Sequence, residues 1–436
     1  MGQQVVAIVG RPNVGKSTLF NRLVERRQAI EDRVAGVTRD RVYGKVEWSG
    51  QEFTIIDTGG LTFLEGSLDQ QVQKQVQLAV EEADLIVFVV DAVEGDNPLD
   101  LEVASYLRRQ EKKVILVANK IDPGKEIWDV YSFFKLGMGE PLPVSATHGL
   151  GVGDLLDKIK EGLPAVEKEE SLEGVIRVAL AGRPNAGKSM LVNQMARQER
   201  SIVNEMPGTT RDNVDVQLKF NEKNLMLVDT AGIRKKSKVK APVEYYSVIR
   251  SLRAVERSDV VLMLIDATEE ITEQDKRIAG YIYDAGKAII LTVNKWDLLK
   301  GKSPDPEAFK RKIRQDLSFL TFAPVVFVSA LTGLRVNRLP GKIIEVEQEY
   351  RKRIDTAVLN DLLQDAMLVN PPPSHKGQRV KFYYATQPET SPPGFVFFVN
   401  NPDLVHFSYV RYLENRLREA FGFTGVPVRI KLKPSD

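Results

Sequence analysis

The chain has 436 residues, 43% of them hydrophobic and 28% charged, with a formal net charge of +2. That is the composition of a globular protein of about three domains, with no charge excess that would point to a partner. It holds no cysteine, so disulfides and thiolate metal sites are excluded, and its three histidines (His148, His375, His406) are too scattered for a metal centre. No apolar stretch is long enough to suggest a leader or a membrane span. The expected location is the cytoplasm, with no membrane partner.

The first element in the chain is an apolar run, Val5–Val9, predicted as a buried strand. It leads into Gly10-Arg11-Pro12-Asn13-Val14-Gly15-Lys16-Ser17, followed by Thr18 and by a helical pattern at Leu19, Phe20 and Leu23. Strand, glycine loop and helix are the context of a phosphate-binding loop: backbone N–H groups and the helix N-terminus face the phosphates. Lys16 reaches the β- and γ-phosphates, and the Ser17 hydroxyl serves Mg²⁺. Next come Thr38, inside Gly-x-Thr-Arg-Asp (Gly36 to Asp40), and Asp57-Thr58-Gly59-Gly60 at the end of a strand near Phe53–Ile56. Strands near Leu85–Val90, Val114–Ala118 and Leu142–Val144 follow, the last two ending in Asn119-Lys120-Ile121-Asp122 and Ser145-Ala146.

The same series is then written again. Gly182-Arg183-Pro184-Asn185-Ala186-Gly187-Lys188-Ser189 lies 172 residues after the first loop, with Met190 where the first copy has Thr18. Thr210 and Asp229-Thr230-Ala231-Gly232 keep that step, Asn294-Lys295-Trp296-Asp297 follows at 175, and Ser329-Ala330 at 184. Predicted strands lie near Arg177–Ala181, Leu225–Val228, Val260–Ile265, Ala288–Val293 and Val325–Val328. A repeat this long is a duplicated folding unit. Near-continuous Val/Ile/Leu strands alternating with helices predict a mostly parallel, doubly wound α/β sheet in each copy. The acidic stretch 164–173 reads as a linker. Beyond residue 348 the order changes to a helix (Thr356–Val369), strands near Val380–Thr386 and Phe395–Asn400, a helix (Ser408–Phe421) and a strand (Val428–Leu432): an α+β domain.

The chemistry follows from the residues. A carboxylate at Asp122 or Asp297 can accept hydrogen bonds from guanine N1–H and its 2-amino group; adenine would leave those lone pairs unpaired, at about 1–3 kcal/mol. Lys120 and Lys295 lie along the base, Asn119 and Asn294 tie this segment to the phosphate loop, and the Ser145-Ala146 and Ser329-Ala330 backbones meet guanine O6. Thr38 and Thr210 can complete a Mg²⁺ shell only while a γ-phosphate is present. Asp57 and Asp229 hold Mg²⁺ through water, and Gly60 and Gly232 offer an N–H to the γ-phosphate, which makes the two segments a switch.

With these motifs in order and in duplicate, the chain resembles the double, Era-like GTPases of the Der (EngA) family over essentially its whole length. The resemblance implies two P-loop G domains (1–163 and 174–348) and a KH-like domain (349–436) in a monomeric bacterial GTPase. It also implies a role in assembly of the large ribosomal subunit, with ribosomal RNA as partner and GTP and GDP as ligands. The glutamine that many GTPases place after Asp-x-x-Gly is replaced by Leu61 and Ile233. Asn13 and Asn185 resemble the asparagine that ligates K⁺ beside the phosphates in related GTPases, and a cation there would neutralise developing charge; the alternative is that each braces its loop. Without the glutamines, a non-hydrolysing scaffold that only senses nucleotide is the other reading. Only the second copy carries a basic run after its Asp-x-x-Gly, Arg234, Lys235, Lys236, Lys238 and Lys240, placed to offer RNA phosphates a nucleotide-controlled patch. Met190 cannot supply a hydroxyl to a phosphate. Gly422-Phe423-Thr424-Gly425 has the form of a KH clamp, but its place between a helix and the last strand predicts a turn.

Overall fold

Strand β1 (Gln4–Val9) is buried at all six positions, which is possible only for a strand covered on both faces. The computed structural model describes residues 4–28, 43–58, 76–77, 80, 83–110, 112–123, 130–164, 174–198, 215–220, 223–228, 254–302, 305–372 and 380–435, the side chains of 25–28, 43, 198 and 300–302 excepted. The chain divides into two compact units, Met1–Glu170 and Ser171–Asp436.

In the first unit six strands lie in the order β2-β3-β1-β4-β5-β6. They are β2 (Tyr43–Trp48), β3 (Gln51–Asp57), β4 (Leu85–Asp91), β5 (Lys113–Asn119) and β6 (Leu142–Pro143) around β1. All pairs are parallel except β2 with β3. Helix α1 (Lys16–Gln28) follows β1, α2 (Pro98–Arg108) follows β4, and α3 (Val152–Gly162) follows β6. Asn97 caps α2 by accepting from the Leu99 N–H, with Pro98 at its first position, the arrangement that satisfies an orphan donor where proline has none to lose. The core joins Leu19, Phe20 and Leu23 of α1 to Ile8, Phe53, Val87 and Val117 of the sheet and Leu155 and Ile159 of α3.

The second unit repeats this sheet as β12-β11-β10-β7-β9-β8. Its strands are β7 (Val175–Ala181), β8 (Val216–Phe220), β9 (Lys223–Leu227), β10 (Val260–Asp266), β11 (Ala288–Asn294) and β12 (Val325–Phe327). Helices α4 (Lys188–Gln198), α5 (Glu273–Asp284), α6 (Pro306–Asp316) and α7 (Leu339–Tyr350) accompany it. The hairpin strands β2 and β8 are absent from the sequence reading. Their pattern (Tyr-Gly-Lys-Val-Glu-Trp; Val-Gln-Leu-Lys-Phe) is that of half-covered edge strands, and a single buried face leaves too few apolar residues to stand out.

The unit closes with α8 (Thr356–Val369), β13 (Phe382–Thr390), β14 (Pro393–Val399), α9 (Phe407–Phe421) and β15 (Arg429–Pro434). β14 pairs with β13 antiparallel and with β15 parallel. This domain does not keep a core of its own. One contiguous cluster runs from Val178 and Leu262 of the second nucleotide sheet, through Ile343 and Val346 of α7, to Phe395, Phe397 and Leu417.

The Gly422–Gly425 turn makes that junction. Gly422 N–H closes α9 on Arg418 C=O (2.9 Å), and Phe423 N–H donates to Glu349 Oε2 (2.7 Å). Gly425 donates to Phe322 C=O (2.9 Å) and its own carbonyl accepts from Ile289 N–H on β11 (2.7 Å). At Gly425 φ is +78°, and a Cβ there would lie 2.8 Å from a Val346 methyl. The turn expected from sequence is therefore a seat on the nucleotide domain, with its backbone already consumed.

Phe423 is fully buried in this seat. Phe423→Ala should destabilise the second unit by about 3–5 kcal/mol, read as a lower urea midpoint. Because the core is continuous, hydrogen exchange should accelerate in β11 and α7 as well as in α9. Acceleration confined to residues 353–433 would show two independent cores.

Candidate nucleotide sites

Each site is assembled from the carboxyl ends of the parallel strands. β1 ends at Val9 and the chain turns through Gly10 (φ +151°), Asn13 (φ +66°) and Gly15 (φ +92°) into α1. A side chain at Gly10 would strike Val89 C=O at 2.3 Å, and one at Gly15 would strike Asn119 Nδ2 at the same distance. The loop can therefore lie on β4 and β5 only as glycine. Gly182 and Gly187 meet Leu264 C=O and Asn294 Nδ2 in the same way, at 2.6 and 2.2 Å.

Asn119 occupies that gap. Its Nδ2 donates to Val14 C=O (2.8 Å) and its Oδ1 accepts from Ala146 N–H (3.0 Å). Asn294 repeats both bonds, to Ala186 C=O (2.8 Å) and from Ala330 N–H (2.9 Å). One carboxamide thus fixes the phosphate loop against the loop that carries Ser145-Ala146 or Ser329-Ala330.

Lys16 Nζ is buried and donates to Gly10 and Arg11 carbonyls, both at 2.7 Å; Lys188 Nζ does so to Gly182 (2.6 Å) and Arg183 (2.7 Å). Burial pulls the Lys16 ammonium down to about 8, against the attraction of Asp57. Ser17 Oγ donates to Asp57 Oδ2 at 2.5 Å. A hydroxyl and a buried carboxylate in contact beside the phosphate loop are the hard-oxygen donors that suit Mg²⁺, and these two residues would hold it. Thr58 Oγ1 donates to Ile8 C=O (2.6 Å), so it locks β3 to β1.

At the base end, Lys120 (φ +72°) and Lys295 (φ +64°) reach back to Asp91 Oδ2 and Asp266 Oδ2, each at 2.5 Å. Burial alone would raise both carboxyls, but the lysine bonds together with those from Val93 and Glu94 N–H to Asp91, and from Thr268 N–H and Oγ1 to Asp266, outweigh it and hold both below the ordinary carboxylate range. Asp122 Oδ1 accepts from Ser145 Oγ (2.6 Å), with His148 Nε2 3.9 Å away. Asp297 Oδ1 is buried and meets no partner among the described residues. A carboxylate oxygen left open at the position of the base is the acceptor that a guanine N–H would satisfy.

The loops' arginines have a partner set that the sequence reading missed. Arg11 is 5% exposed and bonds Glu94 (2.7 Å) and Asp100 (3.2 Å); Arg183 bonds Glu269 (2.9 Å) and Asp275 (2.8 Å). Both arginines thus brace the phosphate loop from outside. The signal was available: Asp91, Glu94 and Asp100 recur as Asp266, Glu269 and Asp275 at the same step of 175 as the base motif. The two braces differ. Asp275 also accepts from Thr272 N–H and Oγ1 (both 2.9 Å), whereas Asp100 Oδ1 and Arg11 Nη2 are buried with no partner among the described residues. Burial pushes the Asp100 carboxyl up to about 6 despite Arg11.

Pro12 and Pro184 lie within the two loops, Asn13, Asn185, Thr18 and Ser189 are exposed on them, and Met190 is 46% exposed. Thr38, Gly59, Gly60, Thr210, Asp229, Thr230, Ala231, Gly232 and the basic residues Arg234, Lys235, Lys236, Lys238 and Lys240 lie outside the described residues.

Lys16 gives a pH test. Its folded value of about 8 lies below the 10.5 of an unburied lysine, so between those pH values the unfolded chain holds a proton that the nucleotide-free fold has lost. Stability of the nucleotide-free form therefore rises with pH across that window. Bound phosphates restore the proton, so affinity at the first site should fall as pH rises through about 8. Calorimetry of GDP binding at about pH 8.5, in buffers of different ionisation enthalpy, should show uptake of about half a proton or more at that site. Uptake that survives Lys16→Met would assign the proton elsewhere.

Comparison with known proteins agrees with this geometry. A family model described as a 50S ribosome-binding GTPase matches residues 5–120 and 177–295, and one described as the C-terminal KH-domain-like region of EngA bacterial GTPase enzymes matches 353–433. The chain is 52% identical over 436 residues to the GTPase Der of Desulforamulus reducens, covering 100% of this chain and 99% of that one. It is 52% identical over 435 residues to the GTPase Der of Caldanaerobacter subterraneus subsp. tengcongensis, covering 99% of each. The GTPase Der of Bacillus thuringiensis is 50% identical over 436 residues and the whole of both chains. Two phosphate loops, two guanine-type base ends and a KH-like domain, matched from end to end at this identity, make the chain a member of the GTPase Der family.

Proposed function

We propose that this GTPase is a nucleotide-controlled switch that acts on the large ribosomal subunit during its assembly, in the cytoplasm. The observation that carries the reading is the duplication of one pocket frame. Each copy brings a lysine folded back on its phosphate loop (buried at Lys16, half-buried at Lys188) and a carboxamide clamp together with an aspartate at the base end. The name of the matching family model, a 50S ribosome-binding GTPase, supports the partner. No helix among the described residues is long and apolar enough to cross a membrane.

In this reading Lys16 and Lys188 leave their carbonyl partners for the β- and γ-phosphates. Ser17, Thr38 and Asp57, with Ser189, Thr210 and Asp229, serve Mg²⁺, which neutralises phosphate charge when bound. Asp122 and Asp297 read guanine. Gly60 and Gly232 sense the γ-phosphate, and the basic run Arg234–Lys240 turns that sensing into a change of affinity for ribosomal RNA. The domains are taken as 1–163, 174–348 and 349–436, joined between the G domains by 164–173.

Asn13 and Asn185 support a K⁺ site. Both are exposed in the left-handed region (φ +66° and +63°), and neither side chain bonds another described residue. A brace would need such a bond, although asparagine also suits this backbone by itself. GTP turnover should rise when K⁺ replaces Na⁺ at constant ionic strength; equal rates would return the asparagines to the backbone role alone. For the partner, the protein should co-sediment with large subunits in a nucleotide-dependent manner, with binding that weakens steeply in salt. Sedimentation indifferent to both nucleotide and salt would overturn the switch.

A further inference from the structure

The last sheet has one face on the core and the other partly open, with Val396 buried and Phe398 half-buried on it. Phe395, Phe397 and Val399 of β14, with Ile430 and Leu432 of β15, pack into the shared cluster. By the alternation of strands, the opposite face carries Tyr384, Phe398, Lys431 and Lys433. The register sets them side by side: Tyr384 is opposite Phe398, Phe398 opposite Lys433, and Val396 opposite Lys431. The Tyr384 and Phe398 rings are stacked, with centroids 4.2 Å apart and planes within 15°. Tyr384 is 42% exposed, and Tyr383, in the adjoining bulge, 48%. Lys431 and Lys433 are exposed, and neither has an ion-pair partner among the described residues.

A stacked cross-strand pair by itself is an ordinary way to stabilise a sheet. What sets this face apart is the exposure of Tyr384, with Phe398 half-buried beneath it, beside two unpaired lysines on the next strand, about 7 Å apart along it. That separation is close to the spacing of successive phosphates in an extended strand. The Gly422–Gly425 turn, the other candidate for nucleic acid in this domain, has its backbone bonded to Glu349, Phe322 and Ile289. Acidic side chains are absent from the rows of Tyr384 and Thr386; Glu389 lies further along, opposite Gly394.

We propose that this face is a platform for single-stranded RNA, on which a base stacks against Tyr384 and Phe398 while the following phosphates run over Lys433 and Lys431. The proposal rests on the ribosomal reading above and names the surface that this domain would supply. A duplex is disfavoured, because its bases are already stacked and shield their faces.

The test uses the full-length protein with GDP and two fluorescent probes, a ten-nucleotide oligouridine and a blunt RNA duplex of the same length. The parent should bind the single strand more tightly than the duplex. Tyr384→Ala should weaken single-strand binding about tenfold, whereas Tyr384→Phe, which keeps the ring, should stay within about twofold. Lys431→Ala with Lys433→Ala should lower the slope of log affinity against log salt by about 1.4, at about 0.7 for each phosphate no longer neutralised. GDP affinity should be unchanged throughout. Parent-like binding by Tyr384→Ala, equal or tighter binding of duplex, or a Tyr384→Phe variant as weak as the alanine would each overturn the platform. Should Tyr384→Ala fail to fold, the salt slope of the lysine variant decides alone. Sedimentation of the same variants with large subunits separates the two readings. A parent that fails to sediment sinks the ribosomal reading, whatever the oligonucleotide shows. Variants that lose the subunit but keep oligouridine would assign the face to a ribosomal protein and overturn the RNA platform.

Discussion

A single buried carboxamide holds each nucleotide pocket together. Asn119 and Asn294 occupy the space that Gly15 and Gly187 leave, and each bonds a phosphate-loop carbonyl with one end and a base-loop amide with the other. Three segments distant in sequence are thereby fixed by two bonds of ordinary length. The constraint runs outward from there. A larger residue at either glycine would expel the carboxamide, and loss of the carboxamide would leave a buried carbonyl and amide unpaired at about 1–3 kcal/mol each. The same strand end also positions Lys120 or Lys295, held by a carboxylate on the neighbouring strand. The phosphate loop and the base-end loop are therefore mechanically one unit in each copy.

Duplication kept that frame and let its surroundings drift. In the first copy Arg22 reaches from α1 to Ala146 C=O (3.1 Å) and to Thr147 C=O, pinning the base loop. The equivalent position 172 residues on is Gln194, and His148 beside Asp122 gives way to Thr332. Asp275 is doubly satisfied by its helix cap while Asp100 is not. None of these differences lies on a phosphate loop itself. They alter how firmly each pocket's walls are held, which is where two copies of one catalyst can acquire different affinities without losing the chemistry.

Much of this is legible in the sequence, for identifiable reasons. Buried parallel strands are continuous apolar runs, so β1, β4, β5, β10 and β11 stand out to within a residue or two. The glycine loops announce their own backbone, since φ values near +90° to +150° admit little else. The place of Asn119 in its motif implies a tie to the phosphate loop, and the structure supplies that bond. Edge strands β2 and β8, with one covered face, carry too weak a pattern. Arg11, Glu94 and Asp100 pass for ordinary loop and helix residues because a lone ion pair has no spacing rule; only their recurrence at the step of the base motif marks them. The bonds of Gly422–Gly425 to Glu349, Phe322 and Ile289 could not be read at all, because nothing local to a turn says which distant strand it will meet.

That last contact bears on how the chain is made. The first unit keeps its core within residues that leave the ribosome together. The second nucleotide domain, by contrast, ends its own helices and strands with Ile289 N–H, Phe322 C=O and the flank of Val346 still waiting for a loop near the far terminus. During synthesis that domain must emerge with an uncovered apolar flank and hold it open until α9 and the turn after it are released. Exposed apolar surface of this kind is what aggregates or recruits chaperones in partly folded chains.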